Sequence, residues 1–122
     1  MKIRKSSEDY LEMILMMIEK KGYARSVDIA TELSVTKPSV SYAMKRLREN
    51  GYIRMDADGL ITLTGEGHKI AARMYERHRV LADFFISIGV DEKTAREDAC
   101  KIEHDISESS FEAIRRTIGN EQ

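Results

Sequence analysis

The chain contains only one cysteine, Cys100, so it cannot form a disulfide within itself. A single thiol suits a reducing compartment and remains available for other chemistry. Long hydrophobic runs are also lacking, because lysine, arginine and glutamate interrupt the longest helical patterns, and the N-terminus leads directly into polar residues 6–9. The sequence therefore predicts no membrane span, no export signal and a cytoplasmic location.

Neither sign of charge is in large excess, because 20 lysine and arginine residues stand against 21 aspartate and glutamate residues, a formal net charge of −1. The balance is uneven along the chain. Residues 1–64 contain 11 basic and 9 acidic residues (net +2), and residues 65–122 contain 9 and 12 (net −3). With 122 residues, 42% of them apolar, the chain is one soluble domain or a small domain with an extension. The basic first half could contact a polyanion.

A first helix is predicted over residues 7–21, with Ser6 or Ser7 as its N-cap and Gly22 as its end. Asp9 and Glu12 lie opposite its main apolar stripe. They are neighbours at i,i+3 spacing and repel each other unless solvated or bridged by a cation. Acids in a first turn also interact favourably with the helix dipole, so this pair alone does not establish a metal site.

Residues 24–50 have the pattern of a helix-turn-helix. A short helix over residues 27–33, with Ser26 as its cap, is followed by a tight connection and a second helix over residues 37–50. Thr36 is placed to cap the second helix, and Pro38 is tolerated in its first turn. The second helix of such a motif can enter a major groove. Its start and outward face consist of small polar residues, basic residues and one tyrosine: Thr36, Lys37, Ser39, Ser41, Tyr42, Lys45 and Arg46.

Two short strands are predicted over residues 52–55 and 60–63, because Asp58-Gly59 between apolar runs is a hairpin signal. A hairpin after a helix-turn-helix predicts a winged helix, with the hairpin as the wing. Thr36, Ser39 and Tyr42 would then read bases, and Lys37, Lys45, Arg46 and the wing residue Arg54 would contact phosphates. The alternative is a winged helix used for protein contact, or a solvated basic face.

The second half of the chain is predicted to be entirely helical. A long helix capped by Thr64 runs over residues 65–88, and His78 lies within its apolar stripe, where a histidine is more often a packed core residue than a ligand. Asp91 caps the next helix, which breaks near Asp105, and Ser107 caps the last, which ends at Gly119.

Cys100, Glu103 and His104 lie in the helix that Asp91 caps, and their spacing places them on one helical face, away from its apolar positions. A thiol, a carboxylate and an imidazole on one face are three good metal donors. The alternative is an ordinary surface helix whose cysteine is half-buried as a small hydrophobic residue.

The predicted fold is mainly α: a winged helix-turn-helix domain, with three helices and a β-hairpin wing, over residues 1–64, and an all-helical domain over residues 65–122. The helices of the second domain are not needed for reading DNA. They are predicted to dimerise the protein, because palindromic DNA sites require two-fold protein symmetry. Candidates for the buried dimer seam, each of which could equally belong to the intrachain core, are Val80, Phe84, Phe85, Phe111 and Ile114.

Together these features resemble the metal-dependent repressors of the diphtheria toxin repressor type, particularly their short manganese-responsive branch. The resemblance covers nearly the whole chain, in the order and spacing of residues 7–12, 22–25, 28–30, Val40-Ser41 with Leu47, Leu63-Thr64 with Gly67, Arg77-His78, 89–91 and Glu103-His104. It implies a divalent metal site, and transferred position by position the implied ligands are Asp9, Glu12, His78, Cys100, Glu103 and His104.

Cys100 departs from the manganese-responsive branch, which has a carboxylate at this position, and matches the iron-responsive branch. Asp9 instead matches the manganese type. Because a thiolate is a soft ligand that prefers Fe(II), Co(II) or Zn(II) over Mn(II), this mixed set predicts Fe(II) first and Mn(II) second, with Zn(II) or Co(II) able to bind in vitro.

The predicted function is a metal-responsive transcriptional repressor of metal-homeostasis genes. Its expected partners are palindromic double-stranded operator DNA and a second copy of the chain, with no membrane and no organic ligand. A metal-independent winged-helix regulator is the alternative, and it would bind DNA equally well after chelation. An enzyme is not predicted, because ligation uses nearly every donor and no glycine-rich or nucleophile motif is present.

Overall fold

A computed structural model of the chain describes residues 5–120 and is mainly helical, as predicted. The elements are α1 (Lys5–Lys21), α2 (Ser26–Leu33), α3 (Lys37–Glu49), β1 (Ile53–Met55), β2 (Ile61–Leu63), α4 (Gly65–Ser87), α5 (Glu92–Ile102) and α6 (Glu108–Asn120). The chain divides into two compact units, and the boundary between them falls between Ala72 and Arg73, inside α4. Within the described part, no helix is both long and apolar enough to cross a membrane.

The first unit contains the helix-turn-helix and the hairpin. Thr36 caps α3 as predicted, since its side chain accepts a hydrogen bond from the backbone N–H of Ser39, and Pro38 lies in the first turn. The strands pair antiparallel with Ile53 opposite Leu63. The side chains that hold α1, α2, α3 and the hairpin together are almost completely buried: Leu11, Ile14, Ile29, Val40, Met44, Leu47, Ile53 and Ile61.

Two helix starts differ from the prediction. The α1 helix already includes Lys5, so Ser6 and Ser7 lie inside the helix and are not its cap. In α2 the N-cap position belongs to Arg25, which makes no side-chain capping bond, and Ser26 is the first helical residue. Serine is a common N-cap, so the pattern favoured Ser26. The residue before it is instead extended, next to Ala24, whose carbonyl accepts a hydrogen bond from the backbone N–H of Ile61 in the hairpin.

The second unit is built around the end of α4. Leu81, Ala82, Ala99 and Phe111 form its core, and part-buried apolar side chains pack against them. Four of the five candidates for a dimer seam, Val80, Phe85, Phe111 and Ile114, therefore contribute to the intrachain core, and Phe84 lies beside Phe85 with 6.0 Å between ring centroids.

Asp91 caps α5 as predicted, and the backbone N–H of Thr94 donates to its carboxylate at 3.1 Å. This hydrogen bond, assisted by the Thr94 hydroxyl, lowers the pKa of the Asp91 carboxyl. The other end of α5 differs from the prediction, because the helix ends at Ile102 and Glu103 to Asp105 form a turn. Ser107 caps α6 as predicted, accepting from the N–H of Ser110.

Candidate functional site

His78, Cys100 and Glu103 come together in the second unit, and one ligand atom from each lies within 4.8 Å of the others. His78 projects from the middle of α4, and Cys100 lies in the last turn of α5. Glu103 follows at the C-cap of that helix. The structure thus brings together three of the six predicted metal ligands from two helices and a turn.

The Glu103 carboxylate is the centre of this group. Its Oε2 lies 3.1 Å from Nδ1 of His78, and its Oε1 lies 3.5 Å from Nε2 of His104. The side chains of Glu103 and His104 are 0% and 1% exposed, and that of His78 is 14% exposed. Burying a carboxylate is costly unless it is paired or bound to a metal, so this arrangement needs both imidazoles or a cation.

One expectation about these residues is wrong. Cys100, Glu103 and His104 were expected on one face of a continuous helix, away from the core. The helix ends at Ile102, Glu103 is completely buried, and only Cys100 is solvent-exposed. Glu103 is the C-cap residue, with helical backbone angles and an N–H that donates to the carbonyl of Ala99. Its carboxylate lies near Cys100, as i,i+3 spacing predicts, but it points into the core towards His78.

The donor set fits a divalent transition metal. Two donors that each lie about 2.0–2.3 Å from one tetrahedral ion are themselves about 3.3–3.8 Å apart. This separation falls within the 4.8 Å limit that the three ligand atoms satisfy. Imidazole nitrogen, thiolate sulfur and carboxylate oxygen together suit Mn(II), Fe(II), Co(II) or Zn(II), and the sulfur favours the softer of these ions. His78, Cys100 and Glu103 would hold such an ion, with His104 directly beside them.

Asp9 and Glu12 lie on α1, in the first unit. Asp9 is half-buried, and Glu12 is 5% exposed. A carboxylate this deeply buried contrasts with the solvated first-turn acid that the helix-dipole alternative requires. Their role as ligands remains a prediction.

The predicted nucleic-acid interface consists of solvent-exposed side chains on the first unit. All eight predicted DNA-binding residues are exposed, and Tyr42 is the most prominent apolar group among them at 64% exposure. The Arg46 guanidinium lies 5.9 Å from the centre of the Tyr42 ring and donates to its hydroxyl at 3.4 Å. Thr36 and Ser39 are joined to each other by a 2.8 Å hydrogen bond between their hydroxyls. The contact of these residues with DNA also remains a prediction.

Sequence reasoning gave no role to two arginines that hold the hairpin tip and the turn of Glu103 in place. Arg25 donates to the backbone carbonyl of Asp58 at the tip of the hairpin, at 3.0 Å. Arg77 donates to the backbone of the turn that carries Glu103. A signal for Arg77 existed, because it follows Met74 by three residues and precedes Leu81 by four, so a charged residue occupies an apolar position of α4.

Two family models match the chain. The N-terminal DNA binding domain of the iron dependent repressor matches residues 2–61, and the metal binding and dimerisation domain of the same repressor matches residues 64–122. A curated relative, the transcriptional regulator MntR of Escherichia coli O6:H1, is 39% identical over 112 residues, which cover 92% of this chain and 72% of that protein.

Solved structures with the same fold include two regulators. The crystal structure of T. acidophilum IdeR has a TM-score of 0.82 at 29% identity and covers 98% of this chain. A manganese-dependent transcriptional repressor complexed with manganese has a TM-score of 0.85 at 26% identity and covers 93% of this chain. The present chain spans 55% and 52% of those two chains, about half their length.

Proposed function

Because the chain belongs to the iron-dependent repressor family, we propose that it is a DNA-binding transcriptional repressor whose operator affinity depends on a bound divalent metal ion. The observation that carries this proposal is the grouping of His78, Cys100 and Glu103 around a fully buried carboxylate, in a chain that also has an exposed helix-turn-helix. DNA reading would belong to residues 1–64, and metal binding and dimerisation to residues 65–122.

The ligand set proposed is the three clustered donors together with His104, Asp9 and Glu12. His104 is supported by its 3.5 Å distance to Glu103. Glu12 is supported by its burial, since a buried carboxylate requires a cation or hydrogen-bond donors. When bound, the ion would supply positive charge and directional ligand bonds. Its effect on operator affinity is limited by how differently it binds the arrangements of high and low affinity.

The identity of the ion is proposed to depend on Cys100. One of the solved structures described above is a manganese-dependent repressor complexed with manganese, so Mn(II) fits that comparison better than the Fe(II) ranked first from the sequence. The thiol is the softest ligand of the proposed set and favours a softer ion than Mn(II). Mn(II) and Fe(II) are therefore the two candidates, and their relative affinity is the quantity to measure.

On DNA, the exposed start of α3 would enter the major groove of a palindromic operator, with a second copy of the chain on the other half-site. Thr36, Ser39 and Tyr42 would contact bases, with Ser41 beside them. Lys37, Lys45, Arg46 and Arg54 would contact phosphates. The protein would act in the cytoplasm on genes of metal homeostasis.

The test is an anaerobic fluorescence-anisotropy titration of a labelled duplex selected from a random library by the Mn(II)-loaded protein. We expect Mn(II) or Fe(II) to raise the affinity for this duplex at least about fivefold, the lower limit of typical allosteric coupling, and a chelator to reverse the change. The Glu103→Gln variant should lose the response. Equal affinity with and without chelator would instead support the metal-independent alternative.

A further inference from the structure

Arg77 lies directly before the ligand His78 on α4, and its side chain is 8% exposed. The guanidinium makes hydrogen bonds to three acceptors, all of them in residues 103–108. Its Nη1 donates to the backbone carbonyls of Glu103 at 3.0 Å and Ile106 at 2.9 Å, and its Nη2 donates to the Glu108 carboxylate at 2.7 Å. A single side chain of α4 thus reaches the whole segment between α5 and α6.

This segment needs such a donor because of where α5 ends. The last carbonyls of a helix have no partner within the helix, and buried carbonyls need hydrogen-bond donors from elsewhere. The Glu103 carbonyl is one of them, and Arg77 satisfies it together with the carbonyl three residues later. The contact therefore fixes the backbone of the residue whose carboxylate faces His78.

The remaining contacts of Arg77 hold the guanidinium in one orientation. Its central carbon lies 5.2 Å from the centre of the Phe111 ring, a side chain of the core of the second unit. Glu108, at the start of α6, is 65% exposed and pairs with Nη2. A planar guanidinium held between a ring, a carboxylate and two carbonyls has little freedom, in contrast to the exposed pair of Arg115 and Glu76 in the same unit.

We propose that Arg77 is a positioning residue for the metal site, which sets the ion affinity by fixing the turn of Glu103 and His104 against the helix of His78. This inference depends on the proposed function, because it assumes that these residues ligate an ion. Arg77 itself supplies no ligand. It acts through the backbone of Glu103, in the way that outer residues of metal sites generally orient the ligands.

The experiment compares the affinity for Mn(II) and Zn(II), measured by competition with a chelating dye, with the melting temperature of the metal-free protein. The variants are Arg77→Gln, Arg77→Lys and Glu108→Gln. Arg115→Gln is the control, because it removes an arginine of the same unit that forms an exposed ion pair. The Glu108→Gln variant changes only an exposed carboxylate, so it reports on Arg77 even if a variant of the buried arginine fails to fold.

We expect Arg77→Gln to weaken ion binding about 10- to 100-fold, as loss of an outer partner of a metal site generally does. Arg77→Lys should also weaken ion binding, and the decrease in the logarithm of its ion affinity should be more than half of that in Arg77→Gln. The reason is that an ammonium cannot form the paired hydrogen bonds of a guanidinium. Glu108→Gln should weaken binding with less effect on the metal-free melting temperature than on ion affinity. Arg115→Gln should leave ion affinity unchanged.

The inference would be overturned if Arg77→Gln and Glu108→Gln lowered the metal-free melting temperature but left both ion affinities within about twofold of wild type, far less than the loss expected for an outer partner. Arg77 would then only stabilise the fold. A wild-type protein that bound neither ion would refute the proposed function itself. This result differs from the one that refutes only the role of Arg77, so the two can be distinguished.

Discussion

At the scale of single residues, Glu103 is the centre of the proposed metal site. Its carboxylate is completely buried, and each of its oxygens lies within 3.5 Å of a different imidazole. A neutral amide of the same shape would keep the packing but could not ligate a cation as strongly. The same group contains the solvent-exposed Cys100 thiol, which is the softest of the proposed ligands.

Replacing Cys100 with glutamate should move the metal preference towards Mn(II). A carboxylate is a harder ligand than a thiolate, so the ratio of Fe(II) to Mn(II) affinity should fall by at least about tenfold, roughly 1.4 kcal/mol. Anaerobic competition titrations with both ions measure this ratio. Because Cys100 is exposed, the substitution should leave the core of the second unit intact.

Cys100→Ser is the matched control, because it removes the soft ligand without adding a carboxylate. It should weaken binding of both ions and should not create a preference for Mn(II). An Fe(II) to Mn(II) ratio identical in wild type, Cys100→Glu and Cys100→Ser would show that Cys100 is not a ligand.

Gly67 is a second position where one residue decides the local structure. A Cβ atom at Gly67 would overlap the backbone carbonyl oxygen of Tyr52, and that oxygen also accepts a hydrogen bond from the N–H of Thr64. Gly67→Ala should therefore lower the free energy of unfolding by about 1–3 kcal/mol, the usual effect of overpacking. Chemical denaturation measures this change.

Gly65→Ala is the control, because a Cβ at Gly65 meets nothing within 4 Å. Its position at the start of α4 also tolerates alanine. Equal stability of the two variants would mean that the start of α4 lies further from the backbone of Tyr52 than the structure shows.

At the scale of elements, the wing carries one basic side chain, Arg54, which is exposed in the middle of β1 opposite Thr62. If it contacts a phosphate in each of the two copies bound to the operator, Arg54→Gln should reduce the slope of log affinity against log salt by about 1.8, which is about 0.9 per copy, and weaken binding to all sequences alike. Anisotropy titrations between low and moderate salt measure this slope. Arg116→Gln, an exposed arginine on α6, should leave the slope unchanged.

The elements show what the sequence could predict. Thr36, Thr64, Asp91 and Ser107 cap helices as their local patterns indicated, because a capping side chain bonds to a backbone N–H only a few residues away. The hairpin followed from Asp58-Gly59 in the same way. Such features depend on short stretches of chain, so they can be predicted without knowledge of tertiary contacts.

Other features depended on contacts that no local pattern contains. Cys100, Glu103 and His104 were identified as candidate donors by residue type and spacing, yet the prediction that they lie away from the core was wrong, because Glu103 is buried against His78 of another helix. The donor that satisfies this helix end is Arg77, 26 residues away along the chain. Side-chain to backbone bonds over such separations follow from the packed fold, so periodicity alone could not reveal them.

At the scale of the whole molecule, a bound ion should stabilise the folded chain, because ligands that bind only the folded state shift the unfolding equilibrium. At an Mn(II) concentration one hundred times its dissociation constant, the free energy of unfolding should rise by about 2.7 kcal/mol. The melting temperature should rise on the order of 10 °C. Differential scanning fluorimetry with and without a chelator measures this.

Glu103→Gln provides the comparison for that shift. The variant should melt at nearly the same temperature with and without Mn(II), since its central ligand is lost. A shift as large as that of wild type would place the stabilising ion elsewhere in the molecule.

The boundary between Ala72 and Arg73 separates His78, Cys100 and Glu103 from the exposed face of α3 along the chain. A mutation that alters which ion is sensed need not touch the residues that choose the DNA sequence, and the reverse also holds. On the proposed roles, a substitution near His78 would change the metal signal and leave the target genes the same, and a substitution on α3 would change the target genes and leave the metal signal the same.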